Sequence, residues 1–466
     1  MKKYDFIIIG GGAAGFAAAI RANELKAKTA LVNTGLPLGG TCVNVGCVPS
    51  KALLYAAEVL QIAKHHGIPG INLEVKSFDF QKVIQDELAL VDNLQKEKYE
   101  SVLKDLEHIE HIEGRAKFIS KNEIEVNGET LQAEKFIIVT GSTATIPPIK
   151  GIQETGYVTH IEALKLKEQP KELVVVGGGP LGLEFAQMYA RFGTTVTILE
   201  RGDIIPHTEK EISLRLKQIF EKEGIAIKTK VEIQFAQIQN GKKSLTYTMG
   251  GKEETISADE ILLAIGKTPN TQELDLLKVG VEVNEHKAII VNEKMQTSAQ
   301  HIYADGDVTD APLRLETTAG REGTISAENA LNNTGESMDY NTIPYAIFTD
   351  PQVAGVGFTE EQQIEKTGVC ACRTVSFEHL PKALIIHRTE GLIKMAIDPK
   401  TQQILGVHIV GPQAAELIAG AMMLVKNKNT IDDVVKSVPM FPTLSEAIKL
   451  VALSFTKNIS KISCCV

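Results

Sequence analysis

Tryptophan is absent from the 466-residue sequence, and the aromatic content is only 5%. A surface that binds single-stranded nucleic acid needs exposed rings on which bases stack. An excess of positive charge is also missing, because 49 lysines and arginines stand against 58 acidic residues and the net charge is −9. A broad nucleic-acid surface needs a basic face, so the composition argues against a nucleic-acid partner.

Cysteine is scarce as well. The six cysteines form three close pairs, which are Cys42 with Cys47, Cys370 with Cys372, and Cys464 with Cys465. This density is too low for a disulfide scaffold and suits a reduced cytoplasm in which a few thiols do chemistry. No apolar run is long enough for a membrane span, since the most apolar N-terminal stretch covers only Phe6 to Ile20. We therefore expect a soluble, cytoplasmic protein without a membrane partner.

Two segments of the chain resemble each other. Residues 4–33 and residues 172–200 each consist of an apolar strand, a glycine turn, an amphipathic helix and a second strand. That order and length are typical of a βαβ unit. After Tyr340 the pattern changes to strands such as GLIKMAID and helices such as AAELIAGAMMLVKNK. The sequence thus predicts an α/β protein with two Rossmann-like dinucleotide-binding domains and a C-terminal α+β domain.

Each βαβ unit carries the glycine spacing of a dinucleotide-binding turn. The glycines are Gly10, Gly12 and Gly15 in the first unit, and Gly177, Gly179 and Gly182 in the second. Such a turn brings backbone N–H groups and a helix N-terminus against a pyrophosphate. The alternative is a pair of tight turns that bind no ligand. Two complete units favour two dinucleotides and an electron relay from nicotinamide to flavin.

The two units differ where a ribose would bind. Glu200 in the second unit suits the 2′-hydroxyl of NADH, whereas the adjacent Arg201 suits the 2′-phosphate of NADPH. Asn33 stands at this place in the first unit; it can bind a ribose or be an ordinary turn residue. The choice between NADPH and NADH stays open.

A second motif, GGTCVNVGCVPSK, holds Cys42 and Cys47 five residues apart. In an ideal helix the two side chains would point about 140° apart, which is poor geometry for a disulfide. A helix entrance distorted by the preceding glycines would bring them together. A helix N-terminus would also favour the thiolate form of a cysteine. The alternative is two structural, buried cysteines.

This motif resembles the active-site signature of the pyridine nucleotide–disulfide oxidoreductases, which are homodimeric flavoenzymes. The resemblance extends over nearly the whole chain through TGSTATIPP, IYADGDVTD and AIFTDPQVAGVGFTE. It implies FAD, NADPH or NADH, and a homodimer. It also implies four segments: an FAD-binding domain in two parts, 1–147 and 268–340, an NAD(P)H-binding domain, 148–267, and a dimerisation domain with a Cys-Cys tail, 341–466.

The resemblance also implies roles for single residues. Cys47 would face the flavin, Cys42 would exchange with substrate, and Lys51 and Glu184 would form an ion pair beside the flavin, although each could equally be a solvated surface charge. Asp307 would bind the ribityl chain. The remaining implied cofactor contacts are Ala13, Gly40, Thr41, Ala116, Thr140, Gly141 and Gly266. Lys267 stands where many relatives have arginine.

One family feature is missing. Disulfide-reducing members have a histidine in a stretch like HPTLSE, and this chain has Phe441 there, with Glu446 retained. Reducing a disulfide expels a thiolate with a pKa of about 8–9, which a placed imidazolium protonates and phenylalanine cannot. Another histidine such as His408 would have to replace it. The sequence therefore favours a substrate that takes electrons without this proton, such as Hg(II), which leaves as a neutral atom.

Cys464 and Cys465 fit the same substrate. Adjacent cysteines form a disulfide only with strain, whereas two thiolates clamp a soft cation. The alternative is an accidental, exposed pair. The tail SCCV resembles the mercury-reducing branch of the family. That resemblance implies that Cys464 and Cys465 receive Hg(II) from thiol complexes and pass it across the dimer to Cys42 and Cys47, so that all four are metal ligands.

Several departures and rival interpretations remain. Many mercury-reducing relatives carry a separate N-terminal metal-binding domain, whereas this sequence starts at the flavin strand, and tyrosines of that branch are replaced by Phe441 and Pro180. Cys370 and Cys372 are too close for an easy disulfide and could bind a metal, but such pairs are more often incidental.

One rival is an FAD-dependent NAD(P)H reductase of another small oxidant, such as a reactive disulfide or hypothiocyanous acid. The other is a non-catalytic metal-binding protein on a flavoenzyme fold.

Overall fold

The computed structural model describes residues 1–461 and residue 463. Its first 145 residues begin with a strand–helix–strand unit and end in a set of paired strands. The elements are β1 (Lys2–Ile9), α1 (Ala13–Glu24), β2 (Thr29–Asn33), α2 (Gly40–Val45), α3 (Cys47–His65), α4 (Phe80–Gln95), α5 (Ser101–Lys104), β3 (Ile109–Glu113), β4 (Ala116–Ser120), β5 (Glu123–Val126), β6 (Glu129–Ile138) and β7 (Ser142–Ala144).

The next 120 residues repeat the strand–helix–strand unit and add an antiparallel sheet. Their elements are α6 (Ile152–Thr155), α7 (His160–Ala163), β8 (Glu172–Val176), α8 (Pro180–Phe192), β9 (Thr195–Glu200), α9 (Lys210–Lys222), β10 (Ala226–Thr229), β11 (Val231–Gln239), β12 (Lys242–Met249), β13 (Lys252–Ala258) and β14 (Glu260–Leu263). A short stretch follows with β15 (Lys267–Pro269), β16 (Ile302–Ala304) and α10 (Glu316–Asn332).

The C-terminal part alternates strands with short helices. Its elements are β17 (Tyr345–Ile347), β18 (Gln352–Gly357), α11 (Glu360–Thr367), β19 (Ala371–Ser376), α12 (Pro381–Ile385), β20 (Leu392–Ile397), β21 (Ile404–Gly411), α13 (Ala414–Lys426), α14 (Ile431–Lys436) and α15 (Glu446–Leu453). The strands predicted from GLIKMAID and ILGVHIVG are β20 and β21, and the helix predicted from AAELIAGAMMLVKNK is α13, so these predictions are confirmed.

The chain divides into two compact units. The first joins residues 1–52, 82–145 and 266–340, and the second joins residues 53–81, 146–265 and everything from 341 onward. The predicted division into four segments stays a prediction, because each unit contains more than one of them.

A seven-stranded sheet forms the centre of the first unit. Its order is β3-β2-β1-β6-β5-β4, with β16 beside β6. β1 runs parallel to both β2 and β6, which confirms the first predicted βαβ unit. Residues Phe6 to Ile9 are buried, as expected for a strand covered on both faces. The carboxyl end of β1 is therefore the point at which the sheet can hold a ligand.

The second unit contains three sheets. A parallel sheet has the order β10-β9-β8-β14, and β8 and β9 confirm the second predicted βαβ unit. The other two are the antiparallel β11-β12-β13 and the five-stranded β17-β18-β21-β20-β19. The structure thus confirms an α/β architecture with two nucleotide-binding units and a C-terminal α+β part. Within residues 1–461, no helix combines the length and apolarity needed to cross a membrane.

Candidate active site

The two glycine turns have the same local geometry in both units. Gly10 and Gly177 end their strands with positive φ angles of 123° and 118°, a conformation that side chains disfavour. A Cβ atom on Gly15 would collide with the carbonyl of Gly10, and one on Gly182 would collide with that of Gly177. Both turns therefore need their first and third glycines for the close packing of strand on helix.

The middle glycines face open space. A Cβ atom on Gly179 would meet no protein atom within 4 Å, and one on Gly12 would meet only the Cα of Gly40 at 3.9 Å. Gly12 and Gly179 are the N-caps of α1 and α8, and no side chain of the described residues caps either helix. The uncapped N–H groups are thus available to an anion.

Asn33 and Glu200 occupy equivalent places after these turns. The Oδ1 atom of Asn33 accepts a hydrogen bond from the backbone of Gly11 at 2.9 Å, and Oε2 of Glu200 accepts one from Gly178 at 2.6 Å. Oε1 of Glu200 also accepts from the backbone of Gly202. Both side chains therefore hold the glycine turn in place, a role that the sequence did not predict. Arg201 is exposed.

Most other predicted FAD contacts lie in the first unit. Ala13 begins α1, and Gly40 and Thr41 begin α2. Thr140 donates from its hydroxyl to the carbonyl of Asn270. The structure places the last members of the set as follows: Gly141 with a φ of 67°, Asp307 accepting a 2.6 Å bond from the Ser142 hydroxyl, Gly266 accepting a backbone bond from Thr145, and Ala116 with a side chain buried in the core at the start of β4.

The two cysteines of the first unit stand at a break between helices. Cys42 lies in α2 and Cys47 begins α3, and Gly46 between them leaves helical geometry with φ −134° and ψ −110°. The ideal-helix separation of the two side chains therefore does not apply. The break lies at Gly46, between the cysteines, whereas the sequence analysis attributed the distortion to the glycines before Cys42. Both cysteines are free thiols, with Cys42 half-buried and Cys47 exposed. Their sulfur atoms lie within 4.8 Å of each other.

The two thiols form an unequal pair. A hydrogen bond to Cys47, together with burial, raises the pKa of Cys42 far above the ordinary thiol value. The same hydrogen bond lowers the pKa of Cys47, and the positive charge of Lys51 lowers it further while burial opposes both. These shifts favour a Cys42 thiol that donates to a Cys47 thiolate, and the thiolate is the nucleophilic and metal-ligating form.

Three residues that the sequence analysis did not assign to the thiol pair lie close to it. The carboxylate of Glu316, at the start of α10, lies within 4.8 Å of both sulfurs. Tyr99 lies close enough that burial and the negative charges of Glu316 and the cysteines raise its pKa to about 12. Burial lowers the pKa of Lys267, and the charges of Asp307 and Cys47 oppose that shift. No sequence motif marks Glu316 or Tyr99, because both are distant from the cysteines along the chain.

Lys51 and Glu184, which the sequence analysis paired beside the flavin, belong to different compact units. Lys51 belongs to α3 of the first unit, and Glu184 belongs to α8 of the second. Glu184 is buried and accepts a 2.8 Å hydrogen bond from the backbone of Phe348. Their ion pair stays a prediction.

The missing histidine is not supplied by His408. His408 lies in β21, is 1% exposed, and pairs its ring Nε2 with the carbonyl of Phe358 at 3.1 Å. It is therefore a core residue of the five-stranded sheet. Phe441 is exposed, and the retained Glu446 accepts a hydrogen bond from the backbone of Thr443. Pro180 begins α8 beside the second glycine turn.

The expectation for Cys370 and Cys372 was wrong. The structure joins them in a disulfide, although the sequence spacing argued against one. Cys372 lies in β19 and Cys370 just precedes it, so the two side chains share one face of an extended chain. Their Cα atoms are 6.0 Å apart, which is within the range that a disulfide spans. Cys464 and Cys465 lie outside the described residues.

Two dinucleotide turns and a thiol pair at a helix entrance define a class of flavin-linked redox enzymes. The family model for pyridine nucleotide-disulphide oxidoreductases matches residues 4–331, and the model for their dimerisation domain matches residues 343–452. The chain belongs to this family.

The chain resembles particular members along nearly its whole length. It is 38% identical to a mercuric reductase of Staphylococcus aureus over 464 residues, which are 99% of this chain and 84% of that protein. It is also 39% identical to a dihydrolipoyl dehydrogenase of Thermus scotoductus over 466 residues, 98% of each. The Cu(II) complex of the HOCl-induced flavoprotein disulfide reductase RclA from Escherichia coli, a solved structure, matches with a TM-score of 0.87 and 29% identity over 98% of this chain and 100% of that one.

Membership makes the chain a flavin-dependent oxidoreductase that uses FAD and NAD(P)H. The observed residues fit such cofactors. Gly12 and Gly179 each leave room that a side chain would fill, and each opens a helix with uncapped N–H groups where a pyrophosphate binds. The first glycine turn and the thiol pair belong to the same compact unit, where Gly40 and Gly12 approach each other closely.

The unequal thiol pair makes a prediction about pH. In the reduced wild-type protein the Cys47 thiolate should persist below the ordinary thiol pKa of 9.0, since its pKa is lowered, and should protonate only as the pH falls through that lower value. Cys42→Ala removes the largest cause of the shift, so the midpoint should move upward. Ultraviolet thiolate absorbance, titrated against Cys42→Ala/Cys47→Ala as the blank, measures it. An unchanged midpoint in Cys42→Ala would contradict the pairing.

Proposed function

We propose that the protein reduces Hg(II) to Hg(0) with NAD(P)H, using the Cys42–Cys47 pair as the inner metal site. The observation that carries this proposal is that the two sulfurs lie within 4.8 Å of each other, in a pair in which the pKa of Cys47 is lowered. Two adjacent thiolates are ligands that a soft cation prefers. Similarity to mercuric reductases over 99% of the chain supports the same substrate.

The chain's own residues would divide the work as follows. Cys42 exchanges with the incoming thiol complex of Hg(II), and Cys47 takes the ion as the second ligand. The hydrogen bond from Cys42 and, after it, the charge of Lys51 favour the thiolate form of Cys47 before the ion binds. The first glycine turn, Asn33 and Asp307 would hold FAD, and the second turn with Glu200 and Arg201 would hold NADPH or NADH. When bound, FAD accepts a hydride from NAD(P)H and makes two electrons available to the thiol site.

The overall reaction balances without an acid at the position of Phe441. Hg(SR)₂ and NAD(P)H give Hg(0), NAD(P)⁺, two thiolates RS⁻ and one proton, because Hg(II) takes the two electrons of the hydride. The small thiolates leave when cysteine thiolates replace them on the ion, so no sulfur–sulfur bond has to be broken. The exposed phenylalanine at residue 441 therefore suits this substrate better than a dithiol–disulfide substrate such as that of a dihydrolipoyl dehydrogenase.

The tail cysteines would act before the inner pair. In the homodimer that the dimerisation domain supports, Cys464 and Cys465 of one subunit would capture Hg(II) from small thiols and transfer it to Cys42 and Cys47 of the other. Transfer by ligand exchange keeps the ion bound to at least one thiolate at every stage. The function also places the protein in the cytoplasm, where NAD(P)H is available.

The test is Hg(II)-dependent oxidation of NADPH and of NADH, measured in excess small thiol. Wild-type protein should turn over, and Cys464→Ala/Cys465→Ala should lose about tenfold or more when thiol competes strongly, because the tail raises the local concentration of the ion. Cys370→Ala/Cys372→Ala is the matched control, since it also removes a close cysteine pair, and it should behave like wild type. No mercury-dependent turnover in wild type, with NAD(P)H still able to reduce the protein, would refute the proposal.

A second candidate is the reduction of another small oxidant, such as a reactive disulfide or hypothiocyanous acid. The likeness to RclA, an HOCl-induced flavoprotein disulfide reductase, favours it. This reaction would use Cys42 and Cys47 but would not need Cys464 and Cys465. Turnover with such an oxidant that is unaffected by loss of the tail, combined with no turnover on Hg(II), would select this candidate.

A further inference from the structure

Glu316 is a carboxylate beside the reactive thiols that no family motif accounts for. It begins α10, and its side-chain oxygen lies within 4.8 Å of the sulfurs of both Cys42 and Cys47. The interaction with its carboxylate is one of the smaller causes that raise the pKa of Cys42, after Cys47 and burial. All three residues belong to the first compact unit. Glu316 is exposed, so an ion from solvent can reach its carboxylate.

We propose that Glu316 is the third donor of the Cys42–Cys47 centre and extends the metals it accepts to borderline divalent cations such as Zn²⁺. This inference rests on the proposed function only in treating the reduced cysteines as a metal-binding dithiol. Two sulfur donors and one carboxylate are normal zinc ligands, and three protein ligands leave a fourth position open for water or another thiol. The site therefore has the ligand number of an open zinc centre rather than of a closed structural one.

The carboxylate affects different metals unequally. It is a harder donor than a thiolate, so it adds less to a very soft ion that two thiolates already satisfy than to a borderline ion. Zinc has no redox chemistry, and it would hold the dithiol without accepting electrons. Glu316 thus determines how well such ions compete with Hg(II) for the inner pair.

The experiment measures equilibrium binding of Zn²⁺ and Hg²⁺ to the FAD-loaded protein under anaerobic conditions, with Cys42 and Cys47 as thiols, FAD oxidised and NAD(P)H absent, so that bound Hg²⁺ is not reduced. Cys464→Ala/Cys465→Ala is the background, so that the tail does not compete for metal. In Glu316→Gln the ratio of zinc to mercury affinity should fall by about tenfold or more, the scale of losing a metal-site partner. Glu107→Gln, which removes an exposed carboxylate just before β3, should leave the ratio unchanged.

Two further measurements identify the site. Zinc-edge X-ray absorption of the background protein should report two sulfur ligands with oxygen, and the oxygen contribution should decrease in Glu316→Gln. Cys42→Ser/Cys47→Ser should abolish zinc binding. Glu316→Asp should recover part of the ratio, and retained FAD absorbance in each variant shows that the unit is folded.

The possible results separate this inference from the proposed function. Zinc binding that is absent, that survives loss of Cys42 and Cys47, or that is insensitive to Glu316→Gln would overturn the inference, whether or not Hg(II) is reduced. Glu316-dependent zinc binding in a protein that does not oxidise NAD(P)H with Hg(II) would support the inference and refute the proposed function.

Discussion

Serine at Cys47 should lower Hg(II)-dependent NAD(P)H oxidation by about a thousandfold or more, the scale on which loss of a covalent or ligating group acts. Cys47 is the member of the pair with the lowered pKa, and Cys42 supplies the hydrogen bond that keeps it so. A serine hydroxyl stays neutral at physiological pH and is a poor ligand for a soft ion. The inner site would therefore lose both its stable thiolate and one of its two metal ligands.

Cys42→Ser should have an effect of similar size, and Cys42→Ser/Cys47→Ser should be little worse than either single variant. Groups that act as one unit give non-additive losses, because the first substitution already disables the unit. Two independent thiols would instead give losses that multiply. The comparison of single and double variants thus tests whether the observed sulfur contact is functional.

The measurement is steady-state NAD(P)H oxidation with Hg(II), together with single-turnover oxidation of one equivalent of NADPH without mercury. The second assay should stay close to wild type in Cys47→Ser, since neither glycine turn is altered. Cys370→Ser/Cys372→Ser, which lie in the second unit, serve as the control for general effects of cysteine loss. Cys47→Ser that keeps more than about a tenth of the mercury-dependent rate would remove Cys47 from the proposed mechanism.

The paired nucleotide turns could be predicted from sequence because their determinants are local. Strand, glycines and helix follow one another within about thirty residues, and the packing of Gly15 on Gly10 involves only that segment. The hydrogen bonds by which Asn33 and Glu200 hold the glycine turns could not be predicted. Their spacing suggested a ribose contact, but which backbone N–H groups they bind depends on how the chain returns to the turn after the second strand.

The thiol site shows a different limit of prediction from sequence. The motif identified Cys42 and Cys47, but an ideal helix was the wrong reference, because Gly46 interrupts the helix between them. Glu316 and Tyr99 approach the pair only through folding of distant segments, and a single sequence has no pattern that records such contacts. The Cys370–Cys372 disulfide was missed because spacing alone does not reveal that the chain is extended there.

Lys394→Met should reduce the free energy of unfolding of the second unit by about 3–5 kcal/mol, the usual result of leaving a buried charge without its partner. The Lys394 side chain in β20 is 3% exposed, and its ammonium donates to Glu209 at 2.9 Å, to Glu211 at 2.9 Å and to Glu360 at 2.6 Å. Burial alone would lower the pKa of Lys394, but these hydrogen bonds outweigh it and raise the pKa. The lysine is therefore charged, and its ammonium pairs with three carboxylates.

The burial of Glu209 determines how much the free energy of unfolding falls in Lys394→Met. The Glu209 side chain is 4% exposed, whereas those of Glu211 and Glu360 are 46% and 41% exposed and would be solvated after the substitution. Glu209 would stay buried and would keep the hydrogen bond from the backbone N–H of Glu360, at 2.8 Å, but would lose the ammonium. Lys394→Met/Glu209→Gln should recover a large part of the loss, because a neutral amide no longer needs a buried cation.

Urea unfolding of the FAD-loaded protein measures the difference, with Lys436→Met as the control. Lys436 pairs with Asp432 on the surface, where the side chains are 74% and 57% exposed, so its loss should cost less than about 1 kcal/mol. Burial raises the pKa of Glu211, but the hydrogen bond from Lys394 and smaller effects outweigh it, so that this pKa is lowered in the folded protein. A carboxylate whose pKa is lowered on folding stabilises the fold above its ordinary pKa and loses this effect as the pH falls through the folded value. The loss in Lys394→Met should therefore shrink as the pH falls from about 7.5 to about 4. A loss that is equal at both pH values, or no larger than in Lys436→Met, would show that Lys394 does not balance a buried charge.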